Sequence, residues 1–503
     1  MPEAFTRSRL ITPLLIVAAF ATCPLRCSHA AITKTTVYTS GTEGYFRYRI
    51  PTIVKAANGD LLAFAEARAG GDASDIDIVV KRSVNSGATW GALQVVMDNS
   101  DFTSYLPPGA QNITVGNQSP VVDLLDPVNP GRIWMPFTLE NDQVFTTYSD
   151  DNGATWATAT SITSSVKDSG WGWYATGPVH GIQLERGPDA GRLIVPGDHR
   201  GDGVDTRGTQ VLYSDDHGAT WQLGAVATYD NATSIVAPNE NVAVELVDGR
   251  VYFNARDGHV PSLGNRSYNY SEDGGLTYIG KHLKEDRIST PGVQNSAMRF
   301  RATDQGDSEN IILYSSPGDF DNRVDLTIHT SHSETLTWTQ ETLVHSGPSA
   351  YSDLVKINQN EFGVLFEAGA SLYDEILFAY MDYTDLATPD WSTIQGDVNQ
   401  DGVLDTADLP YFVSVWTPVT DVVYDGNYES YTNGDLNFDG KNDLADVFLM
   451  REAFIDAGLS LVGLNALFQV PEPSSAVLVT IAGLAPVFQR YRRRRPGMNG
   501  RER

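Results

Sequence analysis

Between residues 31 and 390 the apolar residues come in short runs separated by turn-forming clusters. The runs at 76–81, 192–196, 250–254, 310–314, 362–366 and 375–380 have the length of strands, and Gly, Asp, Asn and Ser bound them. No stretch of this region carries the apolar period of an amphipathic helix. The pattern predicts an all-β region of many short strands.

One eight-residue motif punctuates it. Ser214-Asp215-Asp216-His217-Gly218-Ala219-Thr220-Trp221 recurs almost unchanged at 149–156. Weaker copies start at Ser83, Ser271 and Ser331, the last without its Asp and Gly, and the five starts lie 66, 65, 57 and 60 residues apart. Each copy follows a short run, at 77–81, 143–148, 210–213, 268–270 and 324–329. Each therefore reads as a hairpin turn. Gly supplies the left-handed backbone, Ser and Asp bond the turn's own amides, and Thr-Trp opens the return strand with its ring packed on the hairpin. The boxes read as scaffold. A long, regular period means one sheet unit copied several times. Five boxed units and a boxless segment at 351–383 predict a six-bladed β-propeller. A two-sheet sandwich has no reason to keep that period.

The chain of 503 residues is too long for one core, and a net charge of −28 excludes nucleic acid as a partner. Residues 1–30 form an export signal: Arg7 and Arg9, an apolar run at 10–20, then Ser28-His29-Ala30 before Ala31. The only cysteines, Cys23 and Cys27, fall inside it, so the exported chain has no disulfide. Phe20-Ala21-Thr22-Cys23 is a poor lipoprotein signal. The expected location is periplasmic, cell-surface or secreted.

Residues 393–458 change character. Asp397, Asn399, Asp401, Asp405 and Asp408 occupy positions one, three, five, nine and twelve of a loop that turns at Gly402, and Val403 offers its carbonyl. Asp435, Asn437, Asp439, Lys441 (by its carbonyl), Asp443 and Asp446 repeat the pattern 38 residues later. This is EF-hand-type spacing for Ca²⁺, with Asp last. Apolar helices are predicted at 409–416 and 447–454. The pair resembles a type I dockerin, which implies a small α-helical Ca²⁺-binding domain and a cohesin-type partner. A solvated acidic linker would not keep ligand spacing. At 470–495 come Val470-Pro471-Glu472-Pro473, a short apolar run and five arginines. The order resembles a PEP-CTERM sorting signal, which implies membrane contact only through this tail and the export signal. A permanent anchor is the other reading.

Candidate chemistry lies in the repeat region. Tyr48-Arg49-Ile50-Pro51 opens it, and a Gly-rich loop after the next strand carries Arg68 and Asp72. Together with the boxes these resemble the bacterial exo-α-sialidases, across about residues 35 to 385. The resemblance implies a retaining glycoside hydrolase with three arginines on the sialic acid carboxylate. Carried over by motif, these are Arg49, Arg266 and Arg323. Arg68 matches an extra pocket arginine, and Glu367, in Val364-Leu365-Phe366-Glu367, a brace for the first arginine. Tyr351 matches the nucleophile, Glu245 its assisting base and Asp72 the acid/base. Arg256 reads as structural. The sequence departs from the family at Tyr48 and Val179, where Phe and Gly are usual, and Pro291-Gly292-Val293-Gln294 lacks a familiar Cys.

The chemistry is coherent by itself. Sialic acid carries a carboxylate on the attacked carbon, so a carboxylate nucleophile would meet like charge. A neutral tyrosine with a glutamate to take its proton avoids this. No cofactor is expected for catalysis. Three functions follow: a sialidase acting on sialylated glycans or glycoproteins, a propeller that binds such glycans without cleaving them, and a structural surface module. A binder needs the arginines but neither Tyr351 nor Asp72.

Overall fold

A computed structural model of the chain describes residues 32–201, 206–229, 234, 236–258, 265–338, 340–386, 395–400, 403–418, 431–436, 441–461 and 464. The export signal, the sorting tail, Asp401, Asn437 and Asp439 lie outside the described residues.

The repeat region is an all-β propeller. Arg47–Lys55, Leu61–Arg68, Ile76–Ser83 and Gln94–Met97 form the first antiparallel sheet. The next two keep this plan, with the innermost strand split in two. A fourth sheet is built on Pro238–Glu245, Val251–Asp257 and Arg266–Ser271. The remaining seven strands form one hydrogen-bonded sheet. It divides within the long strand Gln340–Lys356, whose first half pairs with Val324–Ser331 and whose second half pairs with Glu361–Ala368. Six four-stranded groups result. The innermost strand of each touches the next group, and the last group returns to the first. Thr33–Thr39 pairs with Glu375–Asp382, so the start of the region completes its final sheet. Radial repetition of this kind leaves only short, protected sheet edges.

The boxes show why the period exists. In each, the first Ser hydroxyl accepts from the amide four residues on, as in Gly218 N to Ser214 Oγ at 2.8 Å. Asp151, Asp216 and Asp273 each accept from a Thr amide and hydroxyl of their own turn. The box Gly has a second role. A Cβ on Gly218 would sit 2.1 Å from the ring of Trp134, and one on Gly87 2.0 Å from Phe378. Both rings belong to the preceding blade. The box tryptophans also reach across rather than onto their own hairpin: Trp156 meets Phe64 at 5.7 Å and Trp90 meets Phe378 at 5.4 Å. The apolar cores accordingly sit between blades, as in the cluster that joins Leu62, Phe64 and Ile78 to Met135, Phe137 and Phe145.

Farther along the chain, helices Asp408–Val415 and Leu444–Asp456 share a core of Val398, Leu409, Phe412, Leu436, Val447, Met450 and Phe454. The described ends of the two loops are held alike. Asp408 accepts from the amides of Asn399 (3.3 Å) and Asp405 (2.9 Å), and Asp446 from those of Leu436 and Asp443 (both 2.8 Å). Asp397, Asp408, Asp435 and Asp446 are completely buried. Val403 is exposed, and Asp405 and Asp443 each cap a loop amide two residues on. Among the described residues no group of three His, Cys, Asp or Glu closes around one point. No described helix is long and apolar enough to cross a membrane.

Candidate active site

The innermost strands all start on one face of the ring. Arg49 lies near the start of Arg47–Lys55, Glu240 near the start of Pro238–Glu245, and Tyr351 in the matching part of Gln340–Lys356. Second strands run back to this face. Arg68 ends one of them, and Arg256 lies one residue from the end of another.

Tyr351 is the centre. It is buried, and its hydroxyl donates a short hydrogen bond to Glu240 Oε1. Arg256 Nη1 reaches both Glu240 Oε2 (3.1 Å) and the Tyr351 hydroxyl (3.4 Å). The guanidinium carbons of Arg49 and Arg323 lie 5.3 and 5.8 Å from the Tyr351 ring centre. Three arginines therefore surround one phenol. Burial and the Glu240 charge push its proton affinity well above the ordinary phenol, against the pull of Arg256 and Arg49. The phenol is neutral at rest and has its proton acceptor in place.

Each arginine is held differently. Arg49 donates to both oxygens of Glu367, at 2.6 and 3.3 Å. Burial disfavours its charge, but Glu367 outweighs burial and keeps the cation. Glu367 is fully buried and also takes the amides of Ile50 and Tyr351, so one carboxylate ties Arg49 to Tyr351. Arg68 is held by Glu66 (2.5 and 3.0 Å) and contacts Asp72. Arg323 donates to the Tyr373 hydroxyl (2.8 Å) and the Gly292 carbonyl (3.2 Å). Asp72 stands on the loop after Leu61–Arg68, its side chain 86% exposed and 3.8 Å from Arg49 Nη1. Its carboxyl thus stands on an open loop beside two arginines.

Two expected assignments are corrected by position. Glu245 is not near Tyr351. It accepts from Arg186 Nη1 (2.8 Å) and from the amides of Glu185 and Arg186. It lines a separate cavity of about 580 Å³ at the far ends of the innermost strands, with Lys55, Glu185 and Lys356. A strand rises about 3.3 Å per residue, so carboxylates five positions apart sit at opposite ends of it. Arg266 is also elsewhere. It is buried and spends its donors on Asn254 and the Val293 carbonyl. Arg256 and Arg266 are cross-strand partners, but Val251–Asp257 lies one strand closer to the axis, so Arg256 is the one that reaches Tyr351.

The motifs also did not single out Tyr373 or Glu66. The Tyr373 ring lies 3.8 Å from the Arg49 guanidinium. Glu66 stands two residues before Arg68 on one strand, the alternation that puts both on one face.

Residues 59–364, more than half of the chain, match the family model described as BNR repeat-like domain. This chain belongs to that family. It is 29% identical to a sialidase of Micromonospora viridifaciens over 66% of this chain and 52% of the relative. For a Bacteroides fragilis sialidase the figures are 24%, 66% and 62%, so the chain spans only half to three-fifths of these relatives. It is 29% identical to mouse sialidase-2 over 71% of this chain and 96% of that protein. Among solved structures, the Hadza microbial sialidase Hz136 superposes with a TM-score of 0.61 at 25% identity, covering 71% of this chain and 69% of the other.

Proposed function

We propose that this chain is an exo-α-sialidase that releases terminal α-linked sialic acids from glycans or glycoproteins with retained configuration. The observation that carries the reading is the Tyr351 hydroxyl, bonded to Glu240 and ringed by Arg49, Arg256 and Arg323. The arginines take the substrate carboxylate, with planar donors suited to it. Glu240 accepts the phenolic proton as the Tyr351 oxygen bonds to the anomeric carbon. Asp72 gives its proton to the departing oxygen as the glycosidic bond breaks. Asp72 then takes a proton from water, whose oxygen displaces Tyr351, and the phenol recovers its proton from Glu240. Glu367 and Tyr373 hold Arg49 and Arg323 for this task.

A glycan-binding propeller without turnover would use the arginines but has no need of a base on Tyr351. The deciding measurement is Tyr351→Phe. It removes the attacking oxygen and keeps the ring, so turnover of a natural sialoside should fall by several orders of magnitude while a sialic acid analogue still binds. Near-wild-type turnover by the folded variant would refute the mechanism.

The C-terminal part is proposed to be a Ca²⁺-binding attachment unit of the dockerin type, with a cohesin-type partner. The buried acid oxygens of Asp397, Asp408, Asp435 and Asp446 suit a hard cation, which would neutralise them and fix the loops. The export signal and sorting tail are proposed to deliver the protein to the cell surface.

A further inference from the structure

Glu240 must hold its position against Tyr351, yet the sheet does not fix it. In the pairing of Pro238–Glu245 with Val251–Asp257, Pro238 faces Asp257 and Asn241 faces Ala255, with a register shift between them. Asn239 and Glu240 fall in that irregularity. A bulge re-aims a side chain, and something else must then hold it.

The neighbouring blade supplies a contact. Its strand Leu193–Gly201 packs against Pro238–Glu245 and carries Asp198, which is completely buried. Asp198 Oδ2 accepts a short hydrogen bond from Asn239 Nδ2, the residue adjoining Glu240. The other oxygen, Oδ1, is buried and has no hydrogen-bond partner among the described residues. Burial first, and then the nearby Glu240 charge, hold this carboxyl well above the usual carboxylate range, against Arg200 and Arg256. A second anion here would also compete with Glu240 for Arg256. A neutral acid that accepts through Oδ2 avoids that second charge. A buried carboxyl with an idle oxygen is costly as scaffold alone, which calls for a specific role.

We infer that Asp198 is a positioning residue for Glu240: through Asn239 it pins the irregular start of the strand that carries the base. The inference rests on the sialidase reading, in which Glu240 serves Tyr351. It requires a hydrogen-bond acceptor at 198, not a charge.

The test is turnover of a fluorogenic sialoside by the full chain, with kcat and KM separated and thermal midpoints measured. Wild-type turnover tests the sialidase reading by itself; the variants, read as ratios to wild type, test this one. Asp198→Leu removes the acceptor. kcat should fall on the order of 10²-fold, the effect of misplacing a reacting group by about 1 Å, while KM moves little. Asp198→Asn mimics the neutral acid and should restore kcat to within about tenfold of wild type. Asn239→Ala should lose kcat as Asp198→Leu does, and the double variant should be no worse than either. This arm also decides the matter if Asp198→Leu does not fold. The inference fails if Asp198→Asn is as impaired as Asp198→Leu, or if either Asp198→Leu or Asn239→Ala, correctly folded, turns over at a near wild-type rate.

Discussion

Glu240→Gln and Glu245→Gln are isosteric changes five residues apart on one strand, and the structure predicts opposite phenotypes. Glu240 is the acceptor of the Tyr351 proton. Glutamine keeps the shape and a hydrogen-bond acceptor for Arg256 but cannot take that proton. A positioned base contributes about 10²–10⁴-fold, or roughly 3–5 kcal/mol of barrier. kcat on a fluorogenic sialoside should fall by that factor, with a small change in KM because the three arginines remain. Glu245 instead neutralises Arg186 at 2.8 Å and accepts two backbone amides, between side chains 10% and 6% exposed. Glutamine there weakens one charge-assisted pair, while Asp304 still holds Arg186 at 2.7 Å. The expected cost is about 1–3 kcal/mol of stability, visible as a thermal midpoint lowered by a few degrees, with kcat unchanged. Activity lost in Glu245→Gln and kept in Glu240→Gln would refute the assignment of the base.

The same logic separates two arginines. Arg256→Ala should weaken binding of a sialic acid analogue by about 2–5 kcal/mol, whereas Arg266→Ala should chiefly destabilise the fold, since its donors serve Asn254 and Val293; calorimetry and thermal denaturation distinguish them. A pH dependence follows from His180, which bonds the buried Asp353 at 2.7 Å. Burial pulls its proton affinity down, but the Asp353 charge and hydrogen bond prevail and the folded value is raised. A raised folded value stabilises fully below the unfolded value of about 6.5 and is lost as pH rises through the folded value. The stability gap between wild type and His180→Asn, from urea unfolding, should therefore be widest below about pH 6.5 and narrow as pH rises above it. Adding Ca²⁺ to the full chain should raise helical circular dichroism and chelator should reverse it, without changing sialoside turnover; turnover that needs Ca²⁺ would place a metal in the propeller.

The repeats made the propeller legible because each box carries a turn that few sequences can form. Tyr351, Arg49, Glu367, Arg68, Asp72 and Arg323 were legible because each sits in a short local motif, and the structure brings all six together. The base was not. Asn239-Glu240-Asn241-Val242-Ala243-Val244-Glu245 offers two acids, and the choice turns on which end of the strand faces the pocket. Arg49 near the start of its own innermost strand held that clue, since parallel placement of equivalent strands puts position 240, not 245, on the same face. Arg256 and Arg266 are register partners, so spacing cannot rank them; their distance from the axis is a property of the ring, not of the local chain. Asp198 has no motif at all. Its significance comes from a buried oxygen without a partner and a bulge in another blade.

On the proposed reading, the charges of the pocket would let a protein of net charge −28 receive an anion. Four arginines (49, 68, 256 and 323) face four carboxylates (Glu66, Asp72, Glu240 and Glu367). Three arginines are matched to carboxylates in direct contact. Arg323 instead donates to a phenol and a carbonyl, and among the described residues no carboxylate forms an ion pair with it. Its charge is the one that no carboxylate among the described residues already meets. In the proposed reaction the substrate carboxylate would pair with it, while a neutral sugar of the same shape would leave Arg323 without an anionic partner. Selection for a sugar acid would then rest on the one pocket arginine whose charge the protein itself does not match.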